Sequence, residues 1–245
     1  MGLGSAVGWI WERAHRARRT VRPDEPDPSG GRAAVPAAPM PPVPLTPAGS
    51  KTLIIIFGPP AVGKMTVGDA IARRTGLRLF HNHHTIDLAL RFFEFGTPPF
   101  HRLVSEFRTR IFEEVAASTL PGMVFTYVWA FEDESDTRYV ERVSAIFRSR
   151  GADVYLVELE ATQGERLRRN ETEFRLAEKP PKRNVAKSRA QLLELDAKHR
   201  LNSGDELAGR PDYMRIDNTA LSADEVAERI IQRFGIPVTA AMETV

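Results

Sequence analysis

Leu53-Ile-Ile-Ile-Phe57 is a β-branched apolar run that stops on Gly58-Pro59-Pro60-Ala61-Val62-Gly63-Lys64-Met65-Thr66. Beyond it Val67, Ala70 and Ile71 keep helical spacing. A buried strand, a glycine-bounded turn and an amphipathic helix in direct succession confine the chain to an α/β architecture. Such a strand needs partners on both edges and helices over both faces. The turn also has chemistry in it. Glycine, four residues, then Gly-Lys between strand and helix is the spacing at which backbone N–H groups converge on phosphate oxygens. The helix dipole adds positive potential there, and Lys64 supplies a mobile point charge. All nine residues from Gly58 to Thr66 are therefore expected to hold the phosphates of a bound ligand. The plain alternative is a glycine turn that binds nothing. The residue after the lysine is usually Ser or Thr, whose hydroxyl binds Mg²⁺; here it is Met65, and Thr66 is the nearest hydroxyl.

Further along, Leu77–Phe80, Met123–Trp129, Val154–Val157 and Tyr213–Ile216 read as strands. Helical spacing covers about 100–118, the stretch from Tyr139 to Phe147, 162–176, 187–200 and Ser222–Phe234. The last of these opens on Ser222-Ala-Asp-Glu225, a capping-box pattern. Strands and helices alternating in this way predict a parallel sheet covered on both faces. Nine of the 18 prolines precede residue 50, so residues 1–50 are expected to form a disordered Arg/Pro/Ala-rich extension. Residues 51–236 then form one domain and 237–245 a tail. Residues 1–50 hold six Arg against four acids, and the remaining 195 hold 28 basic and 28 acidic residues. A balanced main domain argues against strong nucleic-acid binding. Absence of cysteine excludes disulfides, Cys-ligated metals and a Cys nucleophile. No apolar run approaches the length of a membrane span, and the cytoplasm is the expected location.

The Gly-Lys-x-Thr ending, with a residue other than Ser or Thr after the lysine, resembles the nucleoside monophosphate kinases. The wider arrangement is similar to the group that holds adenylate, shikimate and gluconate kinases and chloramphenicol phosphotransferase. Some bacterial proteins described as ATPases of the AAA family or as shikimate kinase-like share the run Gly63-Lys-Met-Thr-Val-Gly68 and the segment Phe80-His-Asn-His83. The resemblance spans about residues 51–235. It implies a three-layer α/β/α P-loop NTPase fold with five parallel strands in the order 2-3-1-4-5, ATP and Mg²⁺ as cofactors, and a charged lid. Arg166, Arg169 and Arg175 resemble lid arginines in spacing, and Lys179–Arg183 is a second lid candidate. Guanidinium groups suit that role because they bind phosphoryl oxygens in pairs. A solvated helix face would use the same residues differently.

Ligands in open α/β sheets gather at strand carboxyl ends, so His81-Asn82-His83-His84-Thr85-Ile86-Asp87 should face the cleft. Asp87 is the candidate base for an acceptor hydroxyl, the role the related kinases imply, or a Mg²⁺ ligand through water alongside Thr66. It could equally cap or decorate the following helix. Arg91, Arg102 and Arg108 could clamp an anionic acceptor or be surface charge. Glu132 and Asp133 stand near where a Walker B acid would fall, and Asp217 follows the fifth strand, where the related kinases line the adenine pocket. The expected activity is transfer of the ATP γ-phosphate to a small hydroxyl-bearing molecule. An ATPase switch acting on a protein partner and a nucleic-acid end kinase are the alternatives.

Overall fold

The structure, a computed structural model, describes residues 51–171 and 185–239. Five strands, β1 (Thr52–Phe57), β2 (Arg78–His81), β3 (Gly122–Thr126), β4 (Asp153–Glu160) and β5 (Tyr213–Asp217), form one sheet in the order β2-β3-β1-β4-β5. Every pairing is parallel. Each residue of β1 is buried because it lies between β3 and β4 and under helices on both faces. This is the parallel five-stranded order expected of a three-layer α/β/α P-loop NTPase fold.

The two faces of β1 divide the core. Ile54 and Ile56 pack with Val67, Ala70 and Ile71 of α1 (Lys64–Thr75) and with Val226, Ile230 and Ile231 of α7 (Ala223–Phe234). Leu53, Ile55 and Phe57 face the opposite way, toward Phe112 of α3 (Pro98–Ala117) and Tyr139, Val143 and Phe147 of α4 (Glu134–Arg148). A shorter helix, α2 (His83–Ala89), packs on α3 through Ile86, Ala89, Phe100 and Val104. Beyond β4 come α5 (Gln163–Asn170) and α6 (Val185–Lys198). The capping box at Ser222 forms as its sequence predicts, with reciprocal bonds between Ser222 and Glu225. Ser222→Ala should therefore cost about 1 kcal/mol, measurable by urea denaturation, with ATP affinity unchanged.

Several boundaries differ from expectation for physical reasons. The third strand ends at Thr126, not Trp129. Tyr127 still donates its N–H to Ile56, but Trp129 and Phe131 then stack on each other at 4.6 Å and lean on Phe57. That apolar run is buried as a loop over the sheet end. The fourth strand continues past Val157 through two glutamates. Glu158 tolerates full burial because Asn202, the Ser203 amide and hydroxyl, and the Tyr213 hydroxyl all donate to it. The helix expected over 162–176 ends at Asn170. Of the expected 237–245 tail, residues 240–245 lie outside the described residues, as does the 1–50 extension. Thr239 binds the Arg74 carbonyl at the end of α1.

Candidate active site

The turn between β1 and α1 has the backbone a phosphate cradle needs. Gly58 has φ 132° and Gly63 φ 107°, a region that disfavours side chains, and Ala61 also sits at positive φ. A Cβ on Gly58 would stand 2.3 Å from the Leu159 carbonyl oxygen of β4, so only glycine lets the loop lie this close to the sheet. Lys64 opens α1 and curls back over the loop. Its Nζ donates to the carbonyls of Gly58 at 2.6 Å and Pro59 at 2.8 Å. An ammonium held over a glycine-rich turn at a helix N-terminus suits a polyphosphate. The Thr66 hydroxyl donates to the Gly63 carbonyl at 2.8 Å, which leaves its lone pairs available. Met65 offers no oxygen. Mg²⁺ keeps several waters and takes only one or two protein oxygens beside phosphate, so Thr66 fits it. Among the described residues no cluster of three or more His, Cys, Asp or Glu could hold a metal by itself.

The acceptor-side segment lies at the end of β2. His81 pairs with Thr126 of β3, and Thr126 with Ile56 of β1, so His81 and the phosphate loop open on the same edge. One strand separates them, about 10 Å at the usual strand spacing. Asp87 lies inside α2 and does not cap it; the N-cap position is Asn82. Its Oδ1 stands 3.8 Å from Nδ1 of His83, and its side chain is 41% exposed. The His81 and His84 rings lie 3.6 Å apart, and His84 also stacks on Phe80. Burial pulls the His84 pKa below its usual value, although the Asp87 charge opposes this.

The three candidate anion clamps separate by burial. Arg91 and Arg102 are exposed, whereas Arg108 is 1% exposed. Arg108 donates to Thr85 Oγ1 and to the Asn82 carbonyl, both at 2.9 Å, fixing the first turn of α2. Beside it Tyr127, Tyr139 and Asp136 form a buried polar group that composition and spacing did not flag. The Tyr127 hydroxyl donates to Asp136, which also accepts the Ala130 amide. Burial and the Asp136 charge push the Tyr127 pKa well above the ordinary phenol value. Glu132 and Asp133 lie beyond the end of β3. Glu132 binds His199 and the Arg200 amide, and Asp133 caps α4 by accepting from Ser135.

The arginines of α5 make contacts that their spacing did not suggest. Arg166 is buried and makes a two-point ion pair with Asp196 of α6 at 2.9 and 2.6 Å, fastening α5 to α6. It also donates weakly to the Pro60 carbonyl at 3.4 Å. Arg169 donates to the Val62 carbonyl at 3.0 Å, the Asn218 carbonyl at 2.7 Å and Glu165 at 2.7 Å. Hydrogen bonds from Arg168 and then Arg169 hold the Glu165 carboxyl down to about 2. Through these bonds both arginines brace the back of the loop. Arg166→Ala would strand Asp196, and a loss of about 3 kcal/mol in urea denaturation is expected. Asp217 accepts the Thr219 amide, which closes the loop after β5; the Thr219 side chain and then that amide lower the Asp217 pKa. Arg175 and Lys179–Arg183 lie outside the described residues.

No protein-family model matches the chain. A 100-residue stretch, 38% of the chain, is 34% identical to a cytidylate kinase of Solibacter usitatus and spans 43% of that protein, less than half its length. Among solved structures, a candidate kinase from Chloroflexus aurantiacus J-10-fl superimposes with a TM-score of 0.54 at 15% identity, covering 75% of this chain and 98% of that one. That likeness concerns the fold. A shikimate kinase from Acinetobacter baumannii, solved with shikimate, is looser still. Its TM-score is 0.44 at 20% identity, covering 76% of this chain and 93% of that one.

Proposed function

We propose that the protein binds ATP in the Gly58–Thr66 loop and transfers its γ-phosphate to a hydroxyl of a small molecule. The observation that supports this most is Lys64 resting on a glycine-bounded loop, while α2, which carries Asp87, follows a strand separated from β1 by β3 alone. Phosphoryl transfer asks a protein chiefly for positioning and for positive charge around the migrating group. The loop amides and Lys64 bind and orient the phosphates. Asp87 accepts the proton of the acceptor hydroxyl at a carboxylate oxygen, and His83 sits close enough to orient that carboxylate. Arg108 keeps α2 in register and adds positive potential beneath the acceptor. Arg166 and Arg169 hold the loop and its flanking helices in place. When Mg²⁺ is bound, the Thr66 hydroxyl would hold it beside the phosphates, and it would supply neutralisation of their charge.

The test is a screen of hydroxyl-bearing metabolites for ATP-dependent ADP release. Acceptor-dependent release is expected, and release that answers only to added protein would defeat the proposal. Residues 51–236 form the working unit in this reading, with residues 1–50 appended to it. Deleting residues 1–48 should leave ATP affinity and melting temperature essentially unchanged, as titration calorimetry and thermal melts would read.

A further inference from the structure

Asn218, immediately after β5, is 3% exposed and makes an unusual set of contacts for a loop residue. Its Nδ2 donates to the Val62 carbonyl at 2.8 Å, across 156 residues of sequence. The same carbonyl accepts Nη1 of Arg169 at 3.0 Å. Arg169 also binds the carbonyls of Asn218 and Thr219, at 2.7 and 3.1 Å, and the Asn218 amide N–H is held by the Glu160 carbonyl at 2.8 Å. The side-chain amide cannot be turned over, because its oxygen faces Arg169 at 3.4 Å and a second oxygen would then face Val62. The fit against the phosphate loop is close: a Cβ on Gly63 would stand 3.2 Å from Asn218 Nδ2.

These contacts act on one peptide plane. A trans peptide is rigid, with its C=O and N–H pointing in opposite directions. Drawing the Val62 oxygen outward onto Asn218 and Arg169 therefore aims the Gly63 N–H inward. We infer that Asn218 is a positioning residue for phosphate binding, setting the Val62–Gly63 peptide so that the Gly63 N–H meets the phosphate chain. The inference rests on the phosphate-loop reading above. It also gives the amide a use other than reading the nucleobase, since its donor is committed to the loop.

The two uses separate by probe. The experiment titrates ATP and inorganic tripolyphosphate into the full-length wild type, Asn218→Ala and Asn218→Asp, with melting temperatures recorded alongside. The aspartate keeps the size of the side chain and removes the donor, so it guards against an alanine variant that fails to fold. Both variants should lose affinity for ATP and for tripolyphosphate by a similar factor, about tenfold, the scale of one hydrogen bond to a charged group. Loss of ATP affinity with tripolyphosphate unaffected would show that Asn218 reads the base, and the inference would be overturned. Unchanged affinity for both ligands would overturn it as well. A wild type that binds neither ligand would instead refute the phosphate loop itself, and this inference with it.

Discussion

Replacing Lys64 with alanine is expected to weaken ATP binding by about a hundredfold or more, because a charge-assisted contact to phosphate is lost from a site built around it. The fold should survive. Lys64 Nζ binds two loop carbonyls at the rim of the sheet and not a core group, so unfolding free energy should move by no more than about 1 kcal/mol. Titration calorimetry with ATP, paired with urea denaturation, separates binding from stability. Lys64→Arg should rescue little, since a planar guanidinium cannot occupy the compact position of an ammonium over the loop. Equal ATP affinity in wild type and Lys64→Ala would mean that the glycine turn is only a connection between β1 and α1.

Asp87→Asn should lower the rate of phosphoryl transfer by about a hundredfold while ATP affinity is retained, because an amide cannot accept the acceptor proton. Asparagine keeps the size of the side chain, so α2 should be undisturbed. The sheet order makes the prediction specific: β3 alone separates β2 from β1, which brings α2 across the cleft from the phosphate loop. If ATP affinity falls with Mg²⁺ present and is unchanged without it, Asp87 belongs to the metal site. If neither quantity moves, Asp87 only decorates α2, and the acceptor site lies elsewhere along the cleft.

What could be read in advance was whatever a short stretch of chain decides locally. The strand at Leu53–Phe57, the loop and the helix from Lys64 to Thr75 agree with the structure because β-branching, glycine spacing and helical periodicity all act within about 25 residues. The capping box at Ser222 is local in the same sense. The sheet order followed from the resemblance that the loop brought with it. Hidden from the sequence were contacts between distant segments. Nothing near Glu158 announces that Asn202, Ser203 and Tyr213 will satisfy it, so its charge looked like the end of a strand. For Arg166 and Arg169, spacing shows the helix face and not its partners. Asp196 and Asn218, 30 and 49 residues further on, decide what those arginines do. Asp136 and Tyr127 are hidden in the same way, since one acid and one phenol nine residues apart carry no signal until β3 and α4 fold together.

The central claim is that the γ-phosphate leaves ATP for a hydroxyl group of a small acceptor. Phosphorus NMR of ATP and Mg²⁺ incubated with the full-length protein and pooled hydroxyl-bearing metabolites tests it most directly. The γ resonance should fall only when an acceptor is present, a phosphomonoester signal should rise in equal amount, and Lys64→Ala should show neither change. Inorganic phosphate released at the same rate with or without metabolites, or ATP left intact against every pool, would contradict it.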